Sequence, residues 1–168
     1  MPKRLILIRH AKSSWDDPLM PDHARPLNTR GQRAAAEIGA WLTSRGYLPD
    51  TVLCSNATRT TETWARLSEH LEGAPEAKLL PTLYNAAADV IMAVLRHAVG
   101  DTVMVIGHNP GIAEFAHRLV ARAPLHPEFQ KFPTGATLVA EFEIDSWEDA
   151  SFAKAGVVDF VVPRDLEE

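Results

Sequence analysis

Three short apolar runs, each leading into a segment with helical periodicity, constrain this chain more than any other feature. They lie at residues 4–8, 51–54 and 102–106, and the last is β-branched and apolar on both faces. Strands with one wet face alternate apolar and polar side chains, whereas continuous runs belong to strands covered on both sides. The segments in between supply the covers. Thr29-Arg30-Gly31-Gln32 reads as a capping box, Ala35, Ile38, Trp41 and Leu42 follow at helical spacing, and Gly46 is the stop. Thr60, Trp64, Leu67 and Leu71 mark a second helix, with Ser55 or Asn56 as its cap. A third spans 87–98, and a fourth starts at Asn109-Pro110, with Asn109 as cap and Pro110 in the first helical position. Residues 78–80 read as a further strand, 136–144 and 156–162 as two more, and 164–168 as a solvated tail. The pattern predicts a single three-layer α/β/α domain over 1–168, with a mostly parallel sheet and an antiparallel edge strand.

Composition narrows the class. The chain has 168 residues, 46% of them hydrophobic and 23% charged, as in an ordinary soluble domain. A formal charge of −5 without a basic run argues against nucleic acid or an anionic membrane as partner. No stretch approaches the roughly 20 apolar residues of a membrane span, and the apolar run at 5–8 is too short for a signal peptide. One cysteine, Cys54, excludes an intrachain disulfide and a Cys-rich zinc module. A cytoplasmic protein is expected.

Chemistry concentrates where the strands end. The first delivers Arg9 and His10, the second Ser55 and then Arg59, and 102–106 delivers His108 and Asn109. Ligands of open parallel sheets bind outside the carboxyl ends of the strands, so these groups are expected on one rim. Paired Arg forks with helix N-termini suit a phosphoryl dianion. Neutral His10 is a competent nucleophile toward phosphorus, and adjacent Arg9 disfavours its protonation. Arg9 and Arg59 hold the equatorial oxygens, and His108, if protonated, touches the same oxygens or lies near the leaving atom. The predicted reaction has two steps, through a phosphohistidine on His10 that water hydrolyses.

Two rival chemistries fit less well. A cysteine phosphatase loop places five residues between Cys and Arg; four separate Cys54 from Arg59, none of them glycine. A metal hydrolase built on His10, His108 and loop aspartates lacks a His-x-His or helical His-x-x-x-His pair, and the arginines repel a cation. No metal or other cofactor is expected. His70, His97, His117 and His126 have no companions and read as surface histidines.

Leu7-Ile8-Arg9-His10, the Ser55 to Arg59 segment and Ile106-Gly107-His108 resemble the histidine phosphatase superfamily, which includes phosphoglycerate-mutase-like enzymes. Residues 9–15 (Arg-His-Ala-Lys-Ser-Ser-Trp), Arg25-Pro26-Leu27-Asn28 before Arg30-Gly31, and Phe132-Pro133-Thr134-Gly135-Ala136 look like its SixA-type phosphohistidine phosphatase branch. The resemblance implies that His10 is the phosphorylated nucleophile, that Arg9, Arg59 and His108 complete the pocket, and that Arg25 lies near the substrate. Ser55 and Asn109 are expected substrate contacts, although helix capping explains Ser55 equally well. The sequence departs from the superfamily at Ala11, often glycine, and at Thr60 and Glu62. Residues 81–85 also lack the carboxylate that larger members use as a general acid. Asp22 is the best substitute, with Asp16 and Asp17 behind it. A protonated imidazole leaves more readily than an alkoxide, so phosphohistidine demands less of an acid. A metal-independent phosphatase for protein phosphohistidine is expected, its partner a phosphorylated protein such as a histidine-phosphorylated signalling domain. The alternatives are a phosphatase for small phosphate esters and a non-catalytic phosphate-binding regulatory module.

Overall fold

Strand β1 (Lys3–Arg9) shows how the layers are held. Its side chains alternate between two apolar cores: Leu5 and Leu7 enter one, Ile6 and Ile8 the other, and all four are fully buried. β2 (Thr51–Ser55) and β4 (Thr102–Gly107) repeat the division, with Leu53, Val103 and Val105 opposite Val52, Cys54, Met104 and Ile106. Both faces are therefore dry, as continuous apolar runs require. Helices α1 (Thr29–Arg45) and α2 (Thr58–Ser68) cover one face through Ile38, Leu42, Trp64 and Leu67. Helices α3 (Ala88–Arg96) and α4 (Gly111–Leu119) cover the other through Ile91, Leu95, Ile112 and Phe115.

The computed structural model describes residues 2–167; Met1 and Glu168, the ends of the predicted domain, lie outside the described residues. With β3 (Ala77–Leu80), β5 (Thr137–Phe142) and β6 (Gly156–Val161), the six strands run in the order β3-β2-β4-β1-β5-β6. β1 to β4 are parallel, while β5 pairs antiparallel with β1, and β6 antiparallel with β5 at the edge. The α/β/α expectation, with its antiparallel edge, holds. Among the described residues no helix is long and apolar enough to cross a membrane.

Several local expectations shift. Asn28, not Thr29, caps α1: its Oδ1 accepts from the Gly31 N–H at 2.7 Å, and Gly46 ends the helix at φ 75°. Neither Ser55 nor Asn56 caps α2, which starts after Ala57, because the Ser55 hydroxyl turns toward β4. Helix α4 begins one residue beyond Pro110, although Asn109 Oδ1 still accepts from the Ala113 N–H at 3.2 Å. The predicted tail instead forms a short helix, α5 (Pro163–Leu166), because apolar Leu166 finds the core beside α1.

The long loop 11–28 is closed at its base. Ser13 bridges Leu27, Asn28 N–H donates to the Lys12 carbonyl at 3.0 Å, and Leu27 N–H donates to Glu62 at 2.7 Å. Gly31 permits this closure, since a Cβ there would meet the Lys12 oxygen at 2.0 Å.

Candidate active site

The carboxyl ends of β1, β2 and β4 open into a cleft of about 550 Å³ whose walls include Arg9, His10, Asp22, Arg25, Arg59 and His108. Register explains the convergence. Arg9 lies opposite Gly107, so His10 and His108 leave adjacent parallel strands at the same level, their ring centroids 5.3 Å apart. Arg59 reaches the rim from the first turn of α2 and is almost fully buried.

His10 Nδ1 lies 2.7 Å from the Ala11 carbonyl oxygen. A carbonyl only accepts, so the neutral ring carries its proton on Nδ1 and keeps its lone pair on Nε2. Burial, then the charges of Arg9, Arg59 and Arg25, lower its pKa to about 4, although the Ala11 bond opposes the shift. His10 is therefore neutral near pH 7, as a nucleophile requires. Burial also lowers His108 to about 3, aided by His10, Arg59 and Arg9 and opposed by Asp22. His108 is thus neutral in the free cleft, where a buried cation would face two arginines. Its Nε2 lies 2.7 Å from Ser55 Oγ, and that hydroxyl already accepts from the Ala57 N–H at 3.3 Å. Among the described residues that hydroxyl has no other acceptor for its proton, which therefore goes to Nε2 and leaves the proton of His108 on Nδ1.

Among the described residues, three in the cleft keep a buried polar atom without a hydrogen-bond partner: Arg9 Nε, Arg59 Nε and His108 Nδ1. Unsatisfied buried donors are costly and call for an occupant. With one guanidinium on β1, one on α2 and one on the loop, the arrangement suits an anion.

Asp22 takes a different place from the one its sequence position suggests. Its Oδ1 accepts from Arg25 Nε and one terminal nitrogen at 3.1 and 3.0 Å, and its Oδ2 accepts from Arg59 at 3.0 Å. The Tyr84 hydroxyl also donates to Oδ2. That bond, more than those from Arg25 and Arg59, holds the carboxyl well below the usual carboxylate range. In the free cleft Asp22 is thus the counter-anion of the paired arginines, and the proton a general acid must carry is not on it.

Arg25 is buried, donates to Ser13 Oγ, and stacks 3.6 Å from the centroid of the exposed Trp15 ring. Asn109 lines the cleft, but its amide donates to the Lys131 and Phe132 carbonyls, holding the segment before β5 on the rim. Ser55 is fully buried behind His108 and does not line the cleft; the expected substrate contact is corrected to a positioning role. Asp16 and Asp17 are exposed outside it. Cys54 is buried, its thiol pushed up to about 12 by desolvation, which suits an inert side chain. Among the described residues no three His, Cys, Asp or Glu side chains cluster as a metal site.

Sequence reasoning gave no role to Tyr84, and named Lys12 and Trp15 only within the family-like segment 9–15. Tyr84 stands edge-on to His108 at 5.4 Å, and its signal was an aromatic residue just after β3, at the edge that carries the other groups.

Residues 5–85 match the histidine phosphatase superfamily (branch 1). An uncharacterised chloroplastic protein of Arabidopsis thaliana is 36% identical over 165 residues, covering 92% of this chain and 72% of that protein. The SixA structure from Nakamurella multipartitia superposes with a TM-score of 0.81 at 30% identity, covering 97% of each chain. The protein histidine phosphatase SixA complexed with tungstate shares the fold, with a TM-score of 0.76 at 21% identity over 98% of this chain and 99% of that one. Fold, cleft and relatives together define a phosphatase of the histidine-nucleophile class. The chain belongs to the histidine phosphatase superfamily, within its SixA type.

Proposed function

We propose that the protein removes phosphate from phosphohistidine in a protein partner, without a metal, through a covalent phosphohistidine on His10. The observation that carries this reading is the set of unpartnered buried donors, Arg9 Nε, Arg59 Nε and His108 Nδ1, around one neutral imidazole. Tungstate bound to a SixA protein of the same fold supports an oxyanion as occupant.

His10 Nε2 attacks phosphorus as the phosphorus–nitrogen bond of the substrate breaks, and the electron pair leaves with the substrate imidazole. Arg9, Arg59 and His108 hold the three equatorial oxygens and offset their charge in the transition state. Water then adds to phosphorus, the Nε2–phosphorus bond returns its pair to His10, and inorganic phosphate departs. The ionised state of Asp22 favours this substrate class. An alkoxide leaving group needs a proton in the transition state, whereas a protonated imidazole leaves without one.

The test is phosphate release from a histidine-phosphorylated protein in the presence of chelator, run beside alkyl phosphate esters. Wild-type protein is expected to turn over the phosphohistidine substrate and to acquire an acid-labile, base-stable label that His10→Ala lacks. Equal rates for wild type and His10→Ala would overturn the proposal; faster turnover of alkyl esters would replace its substrate.

A further inference from the structure

Beside the cleft runs a second, larger groove of about 1220 Å³, and the two share Lys12 and Thr134 as walls. Its cations are Lys12, Arg30, Arg33, Lys131 and Arg164, all exposed. Arg30 is paired with Glu167 at 3.5 Å, whereas the other four form no ion pair among the described residues. In a chain of net charge −5, this is a local reversal of sign.

The placement of one of these cations, Arg30 in the first turn of α1, is unfavourable to the helix that carries it. That turn, at the N-terminal end, contains no acidic residue. The helix dipole favours anions at that end and disfavours cations. The groove is not suited to a uniform polyanion, since Glu37, Glu128 and Glu167 also line it and Val162, Pro163 and Leu166 give it apolar wall. Mixed charge over apolar surface fits a polypeptide.

We propose that this groove docks an acidic segment of the phosphorylated protein, flanking the histidine presented to His10. The assignment rests on reading the cleft as the phosphatase site, and it places substrate selection outside that site.

Binding is measured first, because it needs no turnover. A fluorescein-labelled, unphosphorylated peptide with glutamates flanking a histidine is titrated by anisotropy against wild type, Arg33→Glu/Arg164→Glu and Lys131→Glu. Wild type is expected to bind it at least about fivefold more tightly than either variant, with affinity falling as salt rises. Phosphorylated forms of that peptide and of a lysine-flanked one are then compared, with free phosphohistidine as the small substrate. The variants are expected to lower kcat/KM for the acidic peptide alone and to leave free phosphohistidine unchanged. Equal binding by wild type and variants, or tighter binding of a DNA oligonucleotide or of phosphatidylglycerol vesicles, overturns the docking proposal. Absence of turnover with intact, charge-dependent peptide binding instead overturns the catalytic reading and leaves the groove assigned.

Discussion

Lowering the pH is expected to destabilise the protein through His10 and His108 before any carboxylate contributes. Their folded pKa values, about 4 and about 3, lie below the ordinary 6.5. Between those limits the unfolded chain binds more protons, so stability falls as pH falls from 6.5 toward the folded values. Moving from about pH 7.5 to about pH 5 crosses roughly 1.5 units of that window, worth about 2 kcal/mol for each histidine. Both side chains are buried, so their joint loss is about 4 kcal/mol, a large fraction of the 5–15 kcal/mol that holds a typical domain. Asp22 contributes nothing in this pH window. Its depressed pKa gives stability that is present above 3.8 and lost only below it. Urea denaturation at the two pH values, for wild type and His10→Asn/His108→Asn, isolates the effect as a difference of differences. The double variant is expected to lose less than about 1 kcal/mol, and each single variant about half the wild-type loss. A double variant that loses as much as wild type would refute the assignment of two neutral buried imidazoles.

Ser55→Ala leaves His108 Nε2 without its donor; stability is expected to fall by about 1–2 kcal/mol in urea denaturation, with kcat down about tenfold. Arg59→Ala is expected to lower kcat toward phosphohistidine by about 10²–10³, and Arg59→Lys to recover only part, since an ammonium lacks the planar fork. In Gly31→Ala the new Cβ collides with the Lys12 carbonyl, so a loss of about 1–3 kcal/mol is expected in thermal unfolding. Phosphate affinity should fall with it, measured by calorimetry, because Lys12 lies between the cleft and its loop.

Strand ends were legible because their chemistry is local: an apolar run stops, and Arg9-His10 or His108 stands where the backbone leaves the sheet. The convergence of residues 98 positions apart followed from topology, and the parallel β1–β4 register supplies it. Side-chain direction was not legible. Ser55 occupies the right strand end, yet it faces His108 because residues alternate across a strand and its hydroxyl finds an imidazole before it finds solvent. Protonation was equally hidden. Asp22 looks like any loop carboxylate until the closed loop sets it between two guanidinium groups and the Tyr84 hydroxyl. The Thr29 capping box failed for a simpler reason: Asn28 is an equally good cap one residue earlier, and its backbone is already fixed by Lys12.

The stacking of Trp15 on Arg25 gives the molecule an optical signal of its own. Trp15 is 72% exposed, whereas Trp41, Trp64 and Trp147 are 9%, 9% and 2% exposed. A quencher confined to water, such as iodide, therefore reports mainly on one indole at the mouth of the cleft. Any oxyanion that draws Arg25 inward must loosen its cation–π contact and change that emission. Occupancy of the cleft can thus be followed in unlabelled protein, independently of whether phosphate is ever released.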